Sequence, residues 1–136
     1  MEDCIFCKII RGEIPCAKLY EDAQVLCFLD INPINPGHAL VITKKHYPTL
    51  FEVPTEELKA CVATAQKVAK AICKATGAPG LNLLQNNHRS AGQLIEHVHF
   101  HVIPRLPQDG FLTSWSGKPY PANQLQQSLE KIRAEL

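Results

Sequence analysis

Long hydrophobic runs are missing from this chain of 136 residues. Crossing a membrane as a helix takes about 20 apolar residues in succession, and no stretch approaches that. A basic segment followed by an apolar core, the mark of a secretory signal, does not open the sequence. Net charge is nearly absent, with 14 Lys and Arg against 13 Asp and Glu. That balance lacks the basic footprint of a nucleic-acid binder, so neither nucleic acid nor membrane is expected as a partner. Repeats, linkers and low-complexity stretches are also lacking, and a single domain with one core is expected. Six cysteines are present, but not in the context of a secreted disulfide framework. Cys61 and Cys73 fall on the apolar face of a helical pattern and Cys27 inside a strand-like run, where a thiol serves as a small hydrophobe. The expected location is the cytoplasm.

What the sequence does have is concentrated in His97-Val98-His99-Phe100-His101-Val102-Ile103-Pro104-Arg105. Three histidines alternate with three apolar residues, the period of a half-buried strand. The apolar side chains meet the core. The imidazole face must meet a metal, a phosphate or a proton. A strand rises about 3.3 Å per residue, so His97 and His101 stand roughly 13 Å apart on a straight strand. With Zn–N bonds of about 2.0–2.1 Å, two neighbouring imidazoles can share a metal but all three cannot. At least one has another task.

Earlier segments supply the rest of a sheet. Residues 18–21, 24–30 and 38–44 read as strands in a meander, because no helix-length crossover separates them. The 24–30 run is nearly all apolar, which suits a central strand. Residues 81–86 form a fourth strand and 97–105 the fifth. Residues 4–11 read as one or two helical turns ending at Gly12. Thr55 is the expected N-cap of a long helix, with Glu56 and Glu57 in its first turn. Its stripe is Leu58, Cys61, Val62, Ala65, Val68, Ala69, Ile72 and Cys73, and Gly77 is its C-terminal stop. Residues 104–121 hold four prolines, two glycines and the lone Trp115 and are irregular. Leu125, Leu129, Ile132 and Leu136 mark a C-terminal helix. The expected class is α+β, an antiparallel sheet with helices largely on one side.

Cys4-x-x-Cys7 is the second constellation. A thioredoxin-like redox pair needs a strand just before it, and only three residues precede Cys4. Metal binding needs two further ligands, for which His46 and one of the triad histidines are candidates. Such a Cys2His2 set suits zinc. A catalytic metal on the triad itself would need Asp or Glu nearby to complete an open site, and none clusters there.

The ordered set CIFCKIIRGEIP, YED, FLDINPINPGH, AGQ and HVHFHVIPR resembles the histidine-triad (HIT) family nearly from end to end, in a bacterial-type, nucleoside-phosphoramidase-like branch. The resemblance implies a HIT-like fold over residues 1–136, with a core at 4–105 and a C-terminal loop and helix at 106–136. It implies a five-stranded antiparallel meander with one long and one C-terminal helix, pairing into a continuous sheet in a homodimer. It implies a hydrolase or transferase acting at the α-phosphorus of purine nucleotide conjugates, adenosine phosphoramidates such as AMP-lysine among them, and releasing AMP. Dinucleoside polyphosphate hydrolysis, or a zinc- and nucleotide-binding module with residual catalysis, stand as alternatives. By the same resemblance His99 is the nucleophile, His101 a donor to phosphate oxygens, and Gln93 a contact to the phosphate or leaving group. Asn86 holds the nucleotide near the phosphate and Asp30 the ribose. Ile5, Phe6, Ile9, Phe28 and Ile31 wall the base. Cys4, Cys7, His46 and His97 bind a structural zinc, and no organic cofactor is implied. His38 matches a family histidine for which a hydrogen-bonded structural role is expected. Two positions depart from the pattern. His88 stands where relatives commonly carry Gly in a turn. Leu94 stands where some have a serine, and offers only its backbone N–H. Leaving-group choice is expected to depend on Leu94 and the 106–121 loop with Trp115.

Overall fold

The computed structural model describes residues 3–110 and 117–136; Trp115 lies outside them. Five strands form one antiparallel sheet: β1 (Lys18–Glu21), β2 (Val25–Leu29), β3 (Ala39–Thr43), β4 (Gly80–Gln85) and β5 (His99–Arg105). Among the described residues three α-helices accompany it: α1 (Ile5–Ile10), α2 (Thr55–Thr76) and α3 (Gln124–Glu135). The α+β class and the element inventory agree with the sequence reading.

The meander runs through β1, β2 and β3. Beyond β3 the spatial order is β1-β2-β3-β5-β4, a departure from strict succession. The cause is α2, which carries the chain across one face of the sheet to the far edge. There β4 forms, and β5 returns antiparallel between β4 and β3. Both edges of β5 are thereby paired, with Leu40 and Leu84 flanking His101.

The alternation in β5 separates two cores. Phe100 and Val102 turn to one face, with Val25, Cys27, Ala39 and Val41 from neighbouring strands. Cys61, Ala65, Val68 and Ile72 of α2 close that layer. Leu26, Phe28, Leu40 and Ile42 turn to the other face and meet Phe6 of α1. The expectation of helices largely on one side therefore needs correction, because α1 covers part of the second face. Its six residues leave the remainder of that face open.

The helix boundaries follow local chemistry with one shift. Pro54, not Thr55, is the N-cap of α2, and Thr55 is its first helical residue. Proline holds φ near −65° without an N–H to satisfy, which suits this entry. At the other end Gly77 has φ 71° and donates its N–H to Cys73. Gly37 matters for packing: at φ 98°, a Cβ there would sit 3.1 Å from Thr76 Cγ2 and 3.3 Å from Ile72 Cγ2. Only glycine lets the 31–37 turn lie this close to α2.

Candidate active site and metal centre

The open part of the second sheet face is a cavity of about 590 Å³. Ile5, Phe6 and Ile9 come from α1, because positions i, i+1 and i+4 share one side of a helical turn. Phe28 comes from β2, and Asp30 and Ile31 from the turn after it. Asn86 lies just beyond β4, and His99 and His101 lie on β5. All nine of these expected nucleotide-site residues therefore line one space. Ile31 lies at its rim, 88% exposed.

Sequence reasoning missed several wall residues. Leu40 and Leu84 flank His101 across the ladders, and Ile95 and Cys16 close the sides. The period-two run His38-x-Leu40-x-Ile42 held the signal that this face of β3 belongs to the site, but only strand pairing shows which face.

Gln93 departs from expectation. It is buried and is not among the cavity walls. Its Oε1 accepts the His88 N–H at 2.7 Å, and its Nε2 donates to the carbonyls of Pro48 and Ile95 at 2.6 and 3.0 Å. Those bonds tie together the loop that carries Gly92 and Leu94 along the cavity.

Hydrogen bonds set the histidine tautomers. His99 Nδ1 lies 2.7 Å from the His97 carbonyl oxygen. A carbonyl only accepts, so Nδ1 carries the proton and Nε2 keeps a lone pair. His38 Nδ1 accepts the Ile34 N–H at 3.0 Å. Its Nε2–H therefore donates to His101 Nδ1, 2.9 Å away. His101 is left with an Nε2–H donor. The His99 and His101 rings are 5.0 Å apart, which places a bare nitrogen beside a donor. His38 has the hydrogen-bonded role expected of it, and what it orients is His101.

Burial keeps these rings neutral. It pushes His101 down to about 4, helped by neighbouring His99 and His38. It lowers His99 as well, opposed by the bond to the His97 carbonyl and by Asp30. His38 shifts the same way for the same reason. A neutral imidazole is the form that attacks phosphorus.

The metal-ligand expectation converges next door. Cys4 Sγ and Cys7 Sγ lie 3.4 and 3.6 Å from His97 Nδ1, and Cys7 Sγ lies 3.3 Å from His46 Nδ1. All four donor atoms fall within 4.8 Å of one another. Ligand atoms of a zinc tetrahedron stand about 3.3–3.8 Å apart, given bonds of roughly 2.0–2.3 Å. His97 Nε2–H donates to the Thr43 carbonyl at 2.7 Å, which leaves Nδ1 bare toward the sulfurs. The donor set fits zinc, and four protein ligands make a closed site. Burial raises the Cys7 thiol and lowers His46 and His97, the last to about 4. Neutral imidazoles are ready to ligate, and the thiol must lose its proton to do so. Asp30, His38 and His101 also gather within 4.8 Å, but the two facing nitrogens there are bonded to each other.

One sequence inference about the strand needs correction. The ladder of β5 begins at His99, not His97. His97 sits in the bend before it, where Val98 N–H donates to the Tyr47 carbonyl at 2.7 Å. The bend lets His97 face the cysteines while His99 and His101 face the cavity.

Comparison with known proteins places these features in context. A family profile described as HIT domain matches residues 11–108. The chain is 54% identical over 107 residues to an Arabidopsis thaliana protein named Adenylylsulfatase HINT3, covering 79% of this chain but 54% of that one. It thus spans about half the length of that relative. It is 42% identical over 134 residues to Adenosine 5'-monophosphoramidase hnt1 of Schizosaccharomyces pombe, covering 98% of each. A crystal structure of a HIT family member from Bacillus subtilis superposes with a TM-score of 0.92 at 43% identity, over 98% of this chain and 97% of that one. A Zn-bound histidine triad family protein from Mycobacterium smegmatis superposes with a TM-score of 0.76 at 32% identity, over 99% of each.

Proposed function

The chain belongs to the HIT domain family, and from that premise we propose that it hydrolyses purine nucleotide conjugates at the α-phosphorus, adenosine phosphoramidates such as AMP-lysine in particular. The observation that carries this reading is the His99 tautomer. Its Nδ1–H is held by the His97 carbonyl at 2.7 Å, so the Nε2 lone pair belongs to the cavity that the ring lines. The names of two relatives, a monophosphoramidase and an adenylylsulfatase, support the same chemistry.

The base lies among Ile5, Phe6, Ile9, Phe28 and Ile31. Asp30 accepts from the ribose hydroxyls and Asn86 donates near the phosphate. His99 Nε2 attacks phosphorus as the P–N bond breaks. The amine leaves with that electron pair and takes up a proton. His101 Nε2–H, oriented through His38, donates to a non-bridging oxygen as charge develops there. Water then attacks the nucleotidyl-histidine, one proton is released, and AMP leaves with His99 regenerated. Gln93 acts at a distance, holding the loop beside the leaving group.

Cys4, Cys7, His46 and His97 would hold a structural zinc that ties α1 to the bend before β5. All six cysteines are free thiols, in keeping with a cytoplasmic enzyme. A two-fold dimer belongs to the same reading. The outer edge of β4 and the outer face of α2 expose Leu83 and Val62, at 48% and 45%, and a second copy would cover both.

The test is hydrolysis of adenosine 5'-phosphoramidate by wild type and His99→Ala. Wild type is expected to release AMP and the variant to lose roughly 10⁴-fold or more in kcat. Equal rates in the two proteins would overturn the assignment. A faster wild-type rate on diadenosine tetraphosphate than on the phosphoramidate would move the substrate class.

A further inference from the structure

Asp30 and His38 stand at the two ends of the turn that joins β2 to β3. The turn is closed by Asp30 N–H to the His38 carbonyl at 2.9 Å and by His38 N–H to the Asn35 carbonyl at 3.0 Å. Those bonds hold the two residues side by side. The one proton on His38 Nε2 faces two acceptors, His101 Nδ1 at 2.9 Å and Asp30 Oδ2 at 3.7 Å. The nearer acceptor has the bond. The farther one is charged, and hydrogen bonds to ions are roughly twice as strong as neutral ones. Asp30 Oδ1 is already taken by the Asn32 N–H at 2.9 Å. Among the described residues Oδ2 accepts no hydrogen bond, and Asp30 lines the cavity. The carboxylate also reaches both rings through its charge, opposing the burial that lowers His38 and His101.

We infer that Asp30 couples ribose binding to the phosphate donor: ribose hydroxyls donated to Oδ2 saturate the competing acceptor and commit the His38 proton to His101, whose Nε2–H is thereby held for the phosphate. His38 is a positioning residue for the reaction proposed above, on which this inference rests, and Asp30 serves rate as well as affinity. The chain of contacts runs from hydroxyl to carboxylate to His38 to His101. None of these groups belongs to the Cys4–Cys7–His46–His97 cluster. A carboxylate that merely anchored the ribose would act differently. Loss of the hydroxyls would then weaken binding or misplace the phosphate, whatever residue stood at position 38. Coupling makes the loss of rate depend on the His38 proton.

The experiment compares adenosine 5'-phosphoramidate with its 2',3'-dideoxy analogue on wild type and His38→Asn. Asparagine keeps an acceptor for the Ile34 N–H and carries no donor at the position of Nε2. In wild type, removal of the hydroxyls is expected to lower kcat roughly 3- to 10-fold, the worth of about one hydrogen bond, and to raise KM. In His38→Asn the two substrates are expected to share one kcat, while the KM ratio stays as in wild type. Equal kcat for the two substrates in wild type, or the same kcat ratio in both proteins, would overturn the coupling. A second measurement needs neither the variant nor turnover. In ¹⁵N-histidine-labelled wild type the His38 Nε2–H proton is expected at lower field with AMP bound than with 2',3'-dideoxy-AMP bound, as the bond to His101 tightens. The same position with both nucleotides would overturn the coupling. A protein that hydrolyses neither substrate but shows this difference would sink the proposed reaction and leave the coupling standing.

Discussion

His88 holds φ 67° and ψ 162°, a region nearly reserved for glycine, in which other residues carry about 1–3 kcal/mol of strain. The histidine takes this conformation with its ring stacked on Phe51 at 6.0 Å. Glycine would relieve the strain but lose that stack and cost up to about 1 kcal/mol in chain entropy. His88→Gly is therefore expected to stabilise by about 1 kcal/mol, read as a rise in the urea midpoint. Gln93 gives the opposite case. Gln93→Ala leaves the His88 N–H and the Pro48 carbonyl without this partner, while the Ile95 carbonyl keeps the His97 N–H. A loss of about 1–3 kcal/mol is expected, seen as a lower melting temperature. A variant with full stability and reduced kcat would restore Gln93 to the ligand.

At the scale of elements, the two helices on opposite faces separate stability from function. Ile72 of α2 is buried against the Phe100 and Val102 side of the sheet. Ile72→Ala is expected to cost about 2–5 kcal/mol and to leave KM for the phosphoramidate unchanged. Phe6 of α1 meets Phe28 and both buried triad rings edge-on. Phe6→Ala should cost a similar amount, about 3–5 kcal/mol, and raise KM as well, because the same ring walls the cavity. Denaturant titration beside steady-state kinetics checks both. Parallel KM changes in the two variants would mean that the faces are not independent.

The whole molecule buries neutral imidazoles, and acid exposes the cost. His101 titrates near 4 in the folded protein and near about 6.5 when unfolded. On acidification the unfolded chain takes up its proton first. Stability is therefore flat above about pH 6.5 and falls toward pH 4, by on the order of 1 kcal/mol per pH unit from His101 alone. His38 and His99 shift in the same direction and steepen the fall. Urea midpoints at about pH 7 and pH 5 measure it, and equal midpoints would contradict the buried neutral state. The assembly has its own test. Light scattering is expected to find twice the 15.1 kDa chain mass, and a monomer at micromolar concentration would remove the proposed dimer.

Local order was legible in the sequence because its cause is local. Alternation from His99 to Val102 needs only strand geometry, the stripe of α2 only 3.6-residue periodicity, and the Cys4–Cys7 turn only neighbours. Resemblance extended this to residues far apart in the chain that the fold gathers in one cavity and one Cys–His cluster. The tertiary structure alone decided what depends on distant contacts. It placed β5 between β3 and β4, because α2 crosses the sheet before β4 forms. It joined His38 to His101 across 63 positions, and so set the tautomer that periodicity cannot express. It tied Gln93 into its loop, because carbonyls and an N–H of folded neighbours took up its amide. It took His97 out of the strand, because only a bend lets the ring reach the cysteines while its carbonyl reaches His99. Side-chain type and spacing are properties of the chain; the direction of a hydrogen bond is a property of the fold.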